Sequence, residues 1–396
     1  MAGRSAVSHF AAPADGARRT LLMSGIAHAL HDGYTDLTYL LLPVWQSEFG
    51  LGYGALALLR GLYAGTMAVL QVPAGRLGER FGGPLVLALG TALAALGYSW
   101  AGMSGGLLGL CAGLAVAGAG ASPQHPIASS AVSRAYGARA RGPLGLYNFA
   151  GDLGKAGVPA AASLLLGVMP WRHTVEALAA GGFVIALAIF VAMPRTAAAP
   201  APAASAATGG GRGGFGLLFT IGVLDTAVRM GLLTFLPFLL QAKGASLTVI
   251  GLALSLVFAG GAAGKFLCGW LGARLGVLWT VLLTEGGTAA LIFVVLALPL
   301  AAALFVLPLL GLMLNGTSSV LYGTVPELAP AGRAERAFAL FYTGTIGSGA
   351  VAPVLFGILG DAAGAPWGAA ATAITALLTL PLALALAPRL RPLQIS

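Results

Sequence analysis

An octet of residues occurs twice. Gly75-Arg76-Leu77-Gly78-Glu79-Arg80-Phe81-Gly82 returns 194 positions later as Gly269-Trp270-Leu271-Gly272-Ala273-Arg274-Leu275-Gly276. The same offset carries Pro43 to Pro237, Gly50 to Gly244, Arg139 to Arg333 and Pro159 to Pro353. An offset held over half a chain means two homologous halves in parallel order. What each half packs against is set by composition.

The chain of 396 residues is 58% hydrophobic and 8% charged. Soluble domains average about a quarter charged residues, so this apolar excess implies a lipid-facing exterior. The 60 glycines fit close contacts between transmembrane helices. The net charge of +9 does not mark a nucleic-acid binder, because the basic residues are spread through short segments between apolar runs. Arg4, Arg18, Arg19, Arg76, Arg80, Arg134, Arg139, Arg141, Arg195, Arg212, Arg274, Arg333, Arg336, Arg389 and Arg391 fall on one side of the expected membrane; only Arg172 and Lys243 fall on the other. That bias places both termini in the cytoplasm. Arg18-Arg19 before the first apolar run resembles a twin-arginine signal. The run has no small-residue cleavage site and carries His28, Asp32 and Asp36, so it reads as a retained helix. Cys111 and Cys268 lie in apolar runs and read as packing residues, without metal spacing or a disulfide framework.

Runs of about 20 apolar residues span a bilayer core. Six fall in the first half, at 21–45, 54–74, 85–103, 107–132, 143–168 and 173–193. Six fall in the second, at 215–240, 247–268, 277–298, 301–325, 337–360 and 367–387. The expected fold is an all-α membrane protein of twelve transmembrane helices in two pseudo-symmetric six-helix bundles. Residues 1–20 form an N-terminal cytoplasmic tail, 21–193 one bundle, 194–214 a linker rich in Ala, Pro and Gly, 215–388 the second bundle and 389–396 a cytoplasmic tail. Two parallel repeats in a membrane point to a device that rocks two bundles about a central site.

The octet resembles the signature loop after the second helix of the major facilitator superfamily, a resemblance that covers nearly the whole chain. It implies alternating access and a cytoplasmic gate at Gly75, Glu79 and Arg80, with Glu79 capping a helix end and pairing with bases. The second copy keeps Arg274 but has Ala273 at the acidic position, which implies a weaker gate. A narrower resemblance, to the fosmidomycin-resistance branch, rests on His28-Ala29-Leu30-His31-Asp32, Pro43, Gln46-Ser47-Glu48-Phe49, Gly118, Gly120, His125-Pro126, Arg134, Gly142, Phe149, Gly151 and Gly154. It implies drug/proton antiport.

Charges inside a bilayer are costly and mark functional sites. His28, Asp32 and Asp36 share one helix face by their spacing, with His31 on an adjacent face. The resemblance implies that helices 1, 4, 7 and 10 line a cavity. A carboxylate that loses hydration can take up protons, so Asp32, with Asp36, His28 and His31, forms the expected proton-coupling set. A permanent structural ion pair is the alternative, and Arg60 is a candidate partner for Asp36. Arg229 and Asp225 are either a local pair or, with Arg229 free, an anion site. Arg60, Lys155, His125, Gln124, Tyr34, Asn148, Asn315 and Tyr322 are further substrate-binding candidates, and Tyr39, Tyr147 and Tyr342 further polar contacts. Asp152 and Lys265 are expected to latch the halves together when the cytoplasmic side is closed. Glu285, on a peripheral helix, reads as structural.

No nucleophile–base set, metal cluster or phosphate loop stands out, which argues against an enzyme, a cofactor, a resident metal or ATP as energy source. The expected function is a proton-coupled exporter of small anionic or amphiphilic compounds. It would be a monomer in the inner (plasma) membrane, with a small molecule, protons and the lipid bilayer as partners and no nucleic acid. A proton symporter importing an organic anion is the alternative. So is a non-transporting receptor on the same scaffold, which would be expected to carry an extra soluble domain.

Overall fold

The computed structural model describes residues 15–195, 213–330 and 333–390. Most of the N-terminal tail and linker, the end of the C-terminal tail, and with them Arg4, Arg212 and Arg391, lie outside these residues.

Every described element is helical. The first half holds α1 (Asp15–Phe49), α2 (Tyr53–Phe81), α3 (Gly83–Met103), α4 (Leu107–Arg139), α5 (Arg141–Leu166) and α6 (Trp171–Ala192). The second holds α7 (Phe215–Ala242), one helical stretch Leu247–Ala297, α10 (Leu300–Leu328), α11 (Ala334–Ala363) and α12 (Ala365–Leu386). The 51-residue stretch breaks at Gly276, whose φ is 80°. It is two helices, α8 (247–275) and α9 (277–297). Among the described residues nine helices are long and apolar enough to cross a membrane, the broken stretch counting as one. α1 and α5 are long enough but less apolar; much of the polar content of α1 is buried inside the protein.

Several helices run further than their apolar runs. α1 begins at Asp15 rather than 21, and α2 continues to Phe81 rather than 74. Arg, Glu and Lys are good helix formers, so a helix does not stop where its apolar face does. The first octet is therefore the last two turns of α2, and the chain reverses at Gly82 (φ 93°), where only glycine adopts the angle easily.

The repeat is visible in the backbone. Left-handed Gly50 (φ 63°) and Gly82 answer to Gly244 (φ 89°) and Gly276. The starts of α2 and α6, at Tyr53 and Trp171, answer at the same 194-residue offset to the starts of α8 and α12, at 247 and Ala365. A shorter α9–α10 turn moves the register to 193 at Leu107 and Leu300. In the shifted register Gly118 and Gly311 are equivalent. A side chain at Gly118 would collide with the carbonyl of Tyr63 on α2, and one at Gly311 with the carbonyl of Val257 on α8.

The halves meet through α2 against α11 and α5 against α8. Asp361, near the end of α11, accepts from the free backbone amides at the start of α2: Tyr53 N at 2.5 Å and Gly54 N at 3.0 Å. Carboxylates favour helix N-termini for this reason. On the other seam Thr248 Oγ1 donates to Ser163 O at 3.3 Å and Ser255 Oγ to Ala156 O at 2.6 Å. These contacts cluster at the end of the bundle away from the start of α1. Past Gly61, whose added side chain would strike the Ala350 carbonyl, the α2–α11 seam slackens: Gly65 and Gly347 face open space.

Candidate functional site

Where the seams part, a cavity of about 250 Å³ lies between the halves. It is lined from α1, α4, α7 and α10, and equally from α2, α5, α8 and α11. Four cations face it, Arg60, Lys155, Arg229 and Lys265, against three carboxylates, Asp32, Asp36 and Asp152.

Asp32, buried, is the hub on the first-half side. Lys155 Nζ lies 3.3 Å from Oδ2, His28 Nε2 3.4 Å from Oδ2, and His31 Nε2 3.9 Å from Oδ1. The helical spacing of four stacks His28 on Asp32, and α5 brings Lys155 across. The Tyr147 carbonyl, 2.9 Å from His28 Nδ1, can only accept. Nδ1 therefore carries a proton, and the ring turns Nε2 towards the carboxylate. The Tyr147 ring stacks on His28 with centroids 4.2 Å apart. His125 packs edge-on against His28 and His31, at 5.2 and 4.9 Å. It sits in a π turn, Gln124–Ala128, within α4. Pro126 lacks an amide hydrogen, so the α-helical ladder cannot run through it. Donor atoms of His28, Asp32 and His125 lie within 4.8 Å of one another, a spread one metal ion can bridge. Lys155, on the same carboxylate oxygen, already supplies a positive charge there.

Asp36 lines the cavity but makes no ion pair with Arg60. The Arg60 guanidinium instead stacks over the Tyr39 ring at 5.1 Å, and Nη2 reaches Met230 Sδ at 3.4 Å. Tyr39 OH donates to the same sulfur at 3.2 Å. Tyr39 and Met230 thus hold a buried arginine off the nearest acid, an arrangement that the distance between α1 and α7 in sequence hides. Arg229 stands 4.0 Å from Asp225, one turn away on α7. Arg229 lines the cavity and Asp225 sits behind its wall. Asn315 and Tyr322 are at the cavity; Tyr322 OH is 3.2 Å from Thr345 Oγ1.

Other candidates fall elsewhere. Tyr34 donates to Leu178 O at 2.6 Å and lies with Gln124 around a cavity of about 20 Å³ inside the first bundle. Asn148 is exposed on α5, off the cavity. Asp152 and Lys265 meet across the α5–α8 seam at 2.5 Å, at the cavity, in a conformation where Asp361–Tyr53 and Thr248–Ser163 close the seams at the end away from the start of α1. Glu79, exposed in helix α2, makes no ion pair among the described residues, because its helix carries it outward. Arg80 lies over Phe81 at 5.2 Å and Arg274 over Trp270 at 4.4 Å, each on its own helix. Gly75 packs towards Pro126 of α4.

A sequence model of the major facilitator superfamily matches residues 24–215 and 218–395. The chain belongs to the major facilitator superfamily. It is a secondary transporter, not an enzyme, in a family of multi-pass membrane proteins. Two similar solved structures are of a bacterial homologue of the human lysosomal transporter Spinster. In its inward-facing unoccupied conformation the TM-score is 0.78, at 14% identity over 96% of this chain and 98% of that one. In its inward-facing occupied conformation the TM-score is 0.77, at 15% identity over 93% and 96%. At such identity the likeness is one of fold. No curated protein matches the sequence.

Proposed function

We propose that this transporter is a proton-coupled exporter of small anionic or amphiphilic compounds. It works by alternating access between the two bundles, in the inner membrane, as a monomer with both termini in the cytoplasm. The direction is the one implied by the likeness of α1 and the α4–α5 stretch to the fosmidomycin-resistance branch. The observation that carries proton coupling and an anionic substrate is the Lys155–Asp32 pair: the ammonium sits 3.3 Å from Asp32 in a cavity where cations outnumber carboxylates. A carboxylate, phosphate or phosphonate entering there meets Arg229 and Lys155. Asp32 takes and releases the proton, with His28 and His31 stabilising its charged form when they hold protons of their own.

One observation favours the second reading, symport with an organic anion. Asp32 and an entering anion compete for the same ammonium, so anion binding strips Asp32 of its counter-charge and draws in a proton. Proteoliposomes loaded with a pH-sensitive dye separate the two. Methylphosphonate or phosphate added outside alkalinises the lumen under antiport and acidifies it under symport. Tetramethylammonium, which has no membrane-permeant neutral form, serves as the cationic control. Proton coupling is ruled out if the anions enter without any lumenal pH change, and the assignment to Asp32 falls if Asp32→Asn gives the wild-type signal.

A further inference from the structure

Behind the wall of the cavity, in the second bundle, two carboxyl groups are buried together. Asp225 on α7 is 4% exposed and Glu285 on α9 is 2% exposed. The two acids stand beside one another, and Glu285 also faces Thr317 of α10. Thr317 in turn donates to Thr284 Oγ1 at 2.7 Å. Glu285 Oε2 has no protein partner. The charged and titratable groups facing the pair are Arg229, 4.0 Å from Asp225 and on its own helix, and Tyr322 of α10. α12, packed on α7 and on the Leu247–Ala297 stretch, has no titratable side chain from Ala365 to Leu386.

Two ionised carboxylates side by side repel each other, and neither can donate a hydrogen bond to the other. One guanidinium at the edge of ion-pair distance balances one negative charge, and a second buried charge without a partner is costly in a bilayer. One proton on the pair relieves that cost. We propose that Asp225 and Glu285 form a proton-binding site of the second bundle, holding one shared proton while Arg229 neutralises the other charge. The arrangement also ties the site to the cavity: among the described residues, Arg229 both lines the cavity and pairs with Asp225. When Arg229 turns to an anion in the cavity, the pair loses its counter-charge and binds a second proton. This consequence rests on the proposed anion site, whereas the shared proton does not.

Infrared difference spectroscopy on purified full-length protein in lipid nanodiscs, near neutral pH, tests the shared proton directly. Glu285→Gln leaves Asp225 beside Arg229, so the protonated-carboxyl C=O absorption should fall by one group. Asp225→Asn leaves Glu285 as the one acid of the pair facing Arg229, so that absorption should fall in this variant too. Asp32→Asn should leave the signal of this pair in place, so failure of the Asp32 coupling reading and failure here are told apart. Glu285→Leu replaces Glu285→Gln if the latter does not fold. Wild-type absorption in the protonated-carboxyl region for the Glu285 variant would mean that the pair holds no proton, and the proposal falls.

Discussion

The two bundles share a frame and not a site. Positions 194 apart place Asp225 where the first bundle has His31, and Glu285 where it has Thr91. In the first bundle three buried carboxylates, Asp32, Asp36 and Asp152, border the cavity, and Asp32 is ringed by His28, His31 and Lys155. In the second, two carboxyls hide behind the wall among threonine hydroxyls, with one arginine at 4.0 Å. The glycines that turn the chain are kept in place while the polar residues differ. Backbone reversals and close helix crossings admit few residues. A cavity wall admits many, so duplication left the scaffold symmetric and freed the electrostatics to diverge. On the proposed reading the first bundle exchanges a proton with the cavity and the second answers through Arg229.

The largest effect should come from Asp32→Asn. It removes the acid that three bases surround, and proton-driven uphill transport should drop to the level of empty liposomes while binding of an anionic substrate survives. Near-normal uphill transport in that variant would end the assignment of coupling to the first bundle.

Arg229→Ala comes next. It should weaken binding of an anionic substrate about 30-fold, roughly 2 kcal/mol, the usual scale for losing a charge-assisted hydrogen bond. A cationic analogue should bind no worse. Equal weakening of both, in titration calorimetry, would mean that Arg229 supports the fold of α7 and does not read charge.

Across the seam, Asp152→Lys and Lys265→Asp should each slow transport about tenfold, and the double reversal should recover part of the loss. A coupling of about 1 kcal/mol is expected for groups in direct contact, reduced because Lys265 is partly exposed. Additive single losses would show that the pair contributes no interaction between the halves.

The frame was legible because repeats and apolar runs are properties of the chain itself. Gly82 and Gly276 could be paired from the octet alone, and both turn out to carry the left-handed angle. Helix ends were less so, since α2 carries its charged last turns well past the apolar layer. At the site, His28 and Asp32 could be placed on one face by counting. That Asp36 misses Arg60 could not, because Tyr39 and Met230, which hold the arginine, lie on two helices from different halves. Glu285 read as structural because its helix is peripheral; only packing shows that it reaches Asp225. Asp361 gave no signal at all, since capping the start of α2 across 308 residues leaves no pattern in either segment.

The smallest effect concerns the two basic residues that break the charge asymmetry. Arg172 Nη1 donates to Gly102 O at 2.8 Å and Ser104 O at 2.6 Å, closing the end of α3. Lys243 Nζ donates to Leu296 O at 3.0 Å and Leu298 O at 2.6 Å, closing the end of α9. Those carbonyls are equivalent at the 194 offset, yet the cations reach them from the start of α6 and from just past the end of α7. Each half thus meets the same need, free carbonyls at a helix C-terminus, with an unrelated residue. Arg172 also holds Glu48 at 2.9 Å and lies over the Trp171 ring at 4.5 Å. Arg172→Ala should therefore cost about 2 kcal/mol of stability and Lys243→Ala about 1 kcal/mol, both lowered by partial exposure. Thermal unfolding of the two variants in detergent checks the order. A larger loss from Lys243 would mean that the helix cap outweighs the pairing with Glu48 and Trp171. No loss from either would show that these cations lie on the far side for reasons other than holding α3 and α9.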